Sequence, residues 1–142
     1  MKEEVAKVWI ETLRSDRFKQ STDALHNVKE QVITTTINAE GETVDTRTIP
    51  AGHCCLGVLC ELAIEAGVKV ERTLIGDDGY EELYDNEAGA LPASVMDWAG
   101  MNTEDGDFET KDMCDESLAA LNDAGKTFAE IADIIEEYKK DL

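Results

Sequence analysis

The chain is short of aromatic residues, at 6%, and has only two prolines and two histidines. The scarcity of histidine limits acid–base chemistry, because a thiol or hydroxyl nucleophile needs a base held by a third group, and only His26 and His53 are available. No apolar run approaches the ~18 residues needed to span a bilayer, so no membrane segment is predicted. The charged opening Met1-Lys2-Glu3-Glu4 reads as a helix start rather than a signal peptide. The expected location is the cytoplasm, where thiols stay reduced. Base is scarce relative to acid: 13 Lys and Arg face 32 Asp and Glu, a net charge of −19. Such a chain repels nucleic acid and anionic membranes, which excludes direct nucleic-acid binding and favours a basic protein partner.

What is present fits one domain over 1–142, with 42% hydrophobic residues, enough to bury roughly two thirds of the unfolded surface. The charge is unevenly placed. Residues 1–30 balance six acids with six bases, whereas residues 77–116 carry fourteen acids against Lys111 alone. The segment therefore sums to 1 − 14 = −13.

The stretch His53-Cys54-Cys55-Leu56-Gly57-Val58-Leu59-Cys60-Glu61-Leu62-Ala63 is the densest apolar run and contains three of the four cysteines. It predicts a central buried helix from His53 or Cys54 to Ala66, with Glu61 and Glu65 on its wet side and Gly67 as its stop. Gly57 inside that helix costs about 1 kcal/mol relative to alanine, which predicts a close backbone neighbour. Residues 3–19 read as an amphipathic helix with Val5, Val8, Trp9 and Leu13 on one face. Residues 23–26 read as a turn. Two hairpins are predicted, one from 31–38 and 43–49 with Gly41 in its loop, the other from 69–75 and 80–84. Leu91 to Gly100 reads as a short helix, residues 101–112 as an acidic loop, and Cys114 to Leu121 as a further helix. Thr127 and Glu130 form a capping box ahead of the apolar stripe Phe128, Ile131, Ala132, Ile134, Ile135 and Tyr138. The fold class is α+β, with a central buried helix, flanking N- and C-terminal helices and a small antiparallel sheet from one or two hairpins.

Three chemistries can be weighed on the residues. Cys54 at a helix start beside His53 has the outline of an activated thiol, but no histidine follows it, and neighbours at a helix start point apart. A zinc set of His53, Cys54 or Cys55, Cys60 and Cys114 lacks the short loop spacing of structural sites. The acidic stretch around Asp105-Gly106-Asp107 lacks the EF-hand pattern. No catalytic residue, metal or cofactor is therefore assigned. The acidic surface remains, with Asp77, Asp78, Glu81, Glu82, Asp85, Glu87, Glu104, Asp105, Asp107 and Glu109 as partner-binding residues.

Trp9 through Leu13, the Cys-Cys-Leu-Gly segment at 54–57, Leu91-Pro92 with Trp98-Ala99-Gly100, and Leu121-Asn122-Asp123 followed by 124–132 together resemble a set of small phage and prophage proteins. The resemblance implies a phage setting and a shared fold, and it transfers no catalytic residue. The first hairpin is longer than that set leads one to expect. A host macromolecule with a basic cleft is then the expected partner, with the chain acting as an anti-defence inhibitor or nucleic-acid mimic. The Asn122-Asp123 turn is expected to pack against the start of the central helix, near Cys54 and Gly57. The alternative to a purely structural turn is a small polar pocket of His53, Cys54, Asn122 and Asp123 that binds a compact ligand or metal.

Overall fold

The computed structural model describes residues 1–36, 39–41 and 44–142. At its centre lies helix α2, Cys55–Glu65, which buries Cys55 through Cys60 together with Leu62 and Ala63. A helix apolar nearly all round has to be enclosed on every side. Cys54 is its N-cap, with Sγ accepting the Gly57 N–H at 3.4 Å. Gly67, at φ +96°, ends it in a Schellman turn: Val68 N–H reaches Ala63 C=O at 3.0 Å and Gly67 N–H reaches Ile64 C=O at 3.0 Å.

Gly57 has the close neighbour that its position predicts. A Cβ there would lie 1.9 Å from the Leu25 carbonyl oxygen, which accepts the Cys54 N–H at 3.1 Å.

Helix α1, Glu3–Arg14, buries Val5, Ala6, Trp9, Ile10 and Leu13. Trp9 donates its indole N–H to the Cys55 carbonyl at 3.0 Å, which ties α1 to the start of α2. The buried face turns toward Ile10 rather than Val8, which is 46% exposed. The helix also ends well before residue 19, because Ser15 is extended and its hydroxyl bonds the Thr12 carbonyl at 2.7 Å.

The main sheet has four antiparallel strands in the order β4-β1-β6-β5: β1 is His26–Asn27, β4 Gly52–His53, β5 Arg72–Ile75 and β6 Glu81–Tyr84. His26, read from sequence as the end of a turn over 23–26, thus joins Asn27 in an inner strand. The predicted first hairpin is a separate two-stranded ribbon of β2, Gln31–Thr36, and β3, Val44–Ile49. Its predicted extensions through 37–38 and 43, and residue 42 of the predicted loop, lie outside the described residues. Gly41 sits at φ +71°, as a tight loop requires.

Beyond the sheet come α3, Ala93–Ala99, closed by Gly100 at φ +71°, and a third hairpin of β7, Asp107–Glu109, with β8, Asp115–Ser117. This hairpin replaces part of the predicted acidic loop and the start of the predicted helix at Cys114. Phe108 anchors it in the core, and Met113 at φ +61° turns it. Ser117 then caps α4, Leu118–Asp123, by accepting the Ala120 N–H at 3.1 Å. Helix α5, Phe128–Tyr138, carries the Thr127–Glu130 capping box and lays its buried stripe on α1. Arg14 of α1 meets Asp133 and Glu136 of α5 at 2.7 and 2.8 Å. Among the described residues, no helix is long and apolar enough to cross a membrane.

Candidate functional site: a histidine–carboxylate cluster and an acidic face

The register of the main sheet gathers its polar side chains. His26 and His53 are cross-strand partners on β1 and β4, and His26 also faces Glu82 on β6. Glu82 and Tyr84 are the two buried positions of β6, as a period of two requires, and Arg72 on β5 is the partner of Tyr84. Glu61 enters from α2.

The two imidazoles stack with centroids 3.8 Å apart and planes 8° from parallel. Each has its own carboxylate: His26 Nδ1 lies 3.0 Å from Glu82 Oε1, and His53 Nε2 lies 3.1 Å from Glu61 Oε1. Arg72 bridges the two acids, donating to Glu61 Oε2 at 2.5 Å and to Glu82 Oε1 at 2.9 Å. The Tyr84 hydroxyl donates to Glu61 Oε1 at 2.6 Å. Phe18 closes over His53 edge-on, with centroids 5.0 Å apart.

Burial alone would raise the Glu61 carboxyl, but the hydrogen bonds from His53, Arg72 and Tyr84 outweigh it and hold the group at about 2. Burial pulls His26 below its ordinary value against the opposing Glu82, and the stacked His53 adds to the fall. Burial pushes the Tyr84 phenol upward, and Glu61 pushes it further. Two carboxylates face a single guanidinium in the cluster.

This cluster corrects two readings. Glu61 is not on a wet face: its side chain is 13% exposed and hydrogen-bonded to His53, Arg72 and Tyr84. Glu82 is a buried ion-pair member rather than an exposed docking residue. No local pattern signals either, because their partners come from other strands.

The other acids are placed as follows. Asp77, Asp78, Glu87, Glu104, Asp107 and Glu109 are exposed, and Glu81 and Asp105 are half-buried. Asp85 is occupied by the fold, accepting the Glu71 N–H at 2.7 Å and the Ser94 hydroxyl at 3.0 Å. Among the described residues, Glu82 is the one acid of 77–116 in a salt bridge, while Lys111 pairs with Glu137, outside the segment. A cleft of about 570 Å³ opens beside the third hairpin, lined by Asp107, Phe108, Asp115, Glu116, Ser117 and Ala120. Asp115 and Glu116 were not among the predicted docking residues, because their segment reads from sequence as a helix.

Of the four residues of the alternative pocket, Asn122 and Asp123 stay beside the start of α2 at Cys54, and His53 turns away. His53 turns to Glu61 and the His26 ring. Asn122 is fully buried: its Oδ1 accepts the Cys55 N–H at 3.1 Å and the Gln20 amide at 3.0 Å, and its Nδ2 donates to the Ser21 carbonyl at 2.8 Å. Asp123 accepts the Asp23 N–H at 3.0 Å. The Asn122 segment thus packs on the start of α2, and its amide has no capacity left over for a ligand.

Burial pushes the Cys54 thiol up to about 11, above the helix-start value that the activated-thiol reading requires, and it also raises Cys55 and Cys60. Cys114 is exposed. A soluble disulfide reagent at neutral pH should therefore titrate one thiol in the native protein and all four after unfolding. Native modification of Cys54 at the rate of Cys114 would contradict this burial.

A four-stranded antiparallel sheet packed on a buried helix, with an ionised cluster between them, defines a small α+β domain. Residues 41–139 match the domain of unknown function DUF8296, and the chain belongs to that family. The match takes in α2 through α5, and α1 and His26 lie before it. No curated protein and no solved structure matches the chain.

Proposed function

We propose that this is a non-enzymatic binding protein that docks on a basic macromolecule through the acidic surface of residues 77–116. The observation that carries the reading is charge left without a cation: among the described residues, every acid of that segment except Glu82 is free of a salt bridge. Arg14, Arg17, Arg47, Lys126 and Lys139 pair with acids outside the segment, so the field of its carboxylates is directed at solvent. The cleft beside the third hairpin fits one lysine or arginine side chain, its stem over Phe108 and its head among Asp107, Asp115 and Glu116. The resemblance to phage proteins points to a host protein as that partner, in the cytoplasm of the infected cell.

The test is association with a basic protein captured from host lysate, measured across about 50–300 mM salt. Affinity should fall steadily with salt. Asp107→Lys with Glu116→Lys should weaken it by about tenfold or more, mainly through the association rate, while Glu11→Lys on α1 leaves it unchanged. Binding that is indifferent to salt, or to the paired reversal, would defeat the reading. Glu82 is left out of the reversal set, because a lysine there would unfold the sheet.

A further inference from the structure

The geometry points to a second site, separate from the acidic face: a zinc-class divalent cation held by His26, His53 and Glu61. A ring nitrogen from each histidine and a carboxylate oxygen from Glu61 all lie within 4.8 Å of one another. Tetrahedral zinc with bonds of about 2.0–2.1 Å needs ligand atoms about 3.3 Å apart. The His53 Nε2 to Glu61 Oε1 separation of 3.1 Å already meets that spacing. The His26 nitrogen, at most 4.8 Å from the other two ligand atoms, has to approach by up to about 1.5 Å, which requires its ring to turn.

The donor set is two imidazoles and one carboxylate, which suits zinc and its neighbours rather than magnesium or calcium. The surroundings are those of a metal ligand set. Tyr84 and Arg72 fix the Glu61 carboxylate, and Glu82 holds the other nitrogen-bearing ring, His26. Two carboxylates against one guanidinium favour a cation there, and His26 at 20% side-chain exposure gives it a way in. An imidazole nitrogen donates in its ring plane, and here the two planes are parallel and stacked. Entry of the ion therefore turns His26 out of the stack. Three protein ligands leave a fourth position for water or a group from a partner.

Native mass spectrometry and titration calorimetry of the full chain with zinc chloride, against magnesium chloride, test this. One zinc per chain and no magnesium are expected. His26→Ala and His53→Ala should each abolish zinc binding, Tyr84→Phe should weaken it about tenfold, and Cys114→Ser should leave it unchanged. Should the histidine variants misfold, the wild-type protein decides alone. Its cobalt complex should show ligand-field absorption without a thiolate charge-transfer band, and zinc should shift both histidine ring signals in NMR spectra. Absence of binding at saturating zinc, a thiolate band, or unmoved histidine signals would each overturn the site.

Discussion

Gly57→Ala is expected to destabilise the protein by about 3 kcal/mol or more and to lower its thermal midpoint by about 10 °C. Two effects of opposite sign compete at this position. Alanine is the better helix former by about 1 kcal/mol, so in open space the substitution would stabilise. Here the new methyl would meet the Leu25 carbonyl oxygen at 1.9 Å and its carbon at 2.8 Å. Neither atom is the free end of a side chain. The oxygen is fixed by the Cys54 N–H, and Leu25 is itself fully buried, its N–H bonded to the Ala88 carbonyl at 2.7 Å. Relief requires α2 to shift away from the segment that leads into β1, and that shift would open the core around Leu56 and Leu59. Steric cost therefore outweighs propensity. Gly89→Ala, which has nothing within 4 Å of its added carbon, is the control and should change stability little. Thermal and urea unfolding followed by circular dichroism measure both, and a wild-type midpoint for Gly57→Ala would remove the close approach of strand and helix.

Where a pattern spans many residues, the sequence was legible. The run from Cys55 to Ala63 is apolar on every side, and the Thr127–Glu130 box with its stripe predicts α5 to the residue. The hairpin across 76–79 follows from its two glycines. Strands β1 and β4 have two residues each, too few to alternate, and they become strands only because β6 lies beside β1 and β1 in turn lies beside β4. The third hairpin was hidden because acids dominate its composition, and one buried Phe108 outweighs them. The histidine–carboxylate cluster was the least legible part. His26, His53, Glu61, Arg72 and Glu82 come from five elements, and nothing local distinguishes the Glu61 that meets Arg72 from the Glu65 that meets Arg17 at the surface.

Asn122→Ala is the second large effect, expected at about 3 kcal/mol. The Asn122 carboxamide lies at the N-terminus of α2, where the first backbone N–H groups of a helix lack partners within it. Its Oδ1 takes the Cys55 N–H, and its Nδ2 takes the Ser21 carbonyl, so alanine strands a buried donor and a buried acceptor at once. The loss spreads through Gln20, whose amide also bonds the Lys126 carbonyl at 2.7 Å and the Phe128 N–H at 3.0 Å. Asn122 and Gln20 together join the starts of α2 and α5. Asn122→Asp separates the contributions. The carboxylate keeps an acceptor for Cys55, but it sets a second oxygen against the Ser21 carbonyl in a fully buried site. Burial should raise that carboxyl above the unfolded value of about 3.9. A raised folded-state pKa gives stability that is present below about 3.9 and lost as pH rises through the folded value. Relative to wild type, Asn122→Asp should therefore be weak at neutral pH and recover on acidification, when the protonated acid donates to Ser21. Asn122→Ala cannot recover in this way. Urea unfolding of the three proteins across that pH range reads the difference directly. An Asn122→Ala protein as stable as wild type would return the residue to a ligand-binding role.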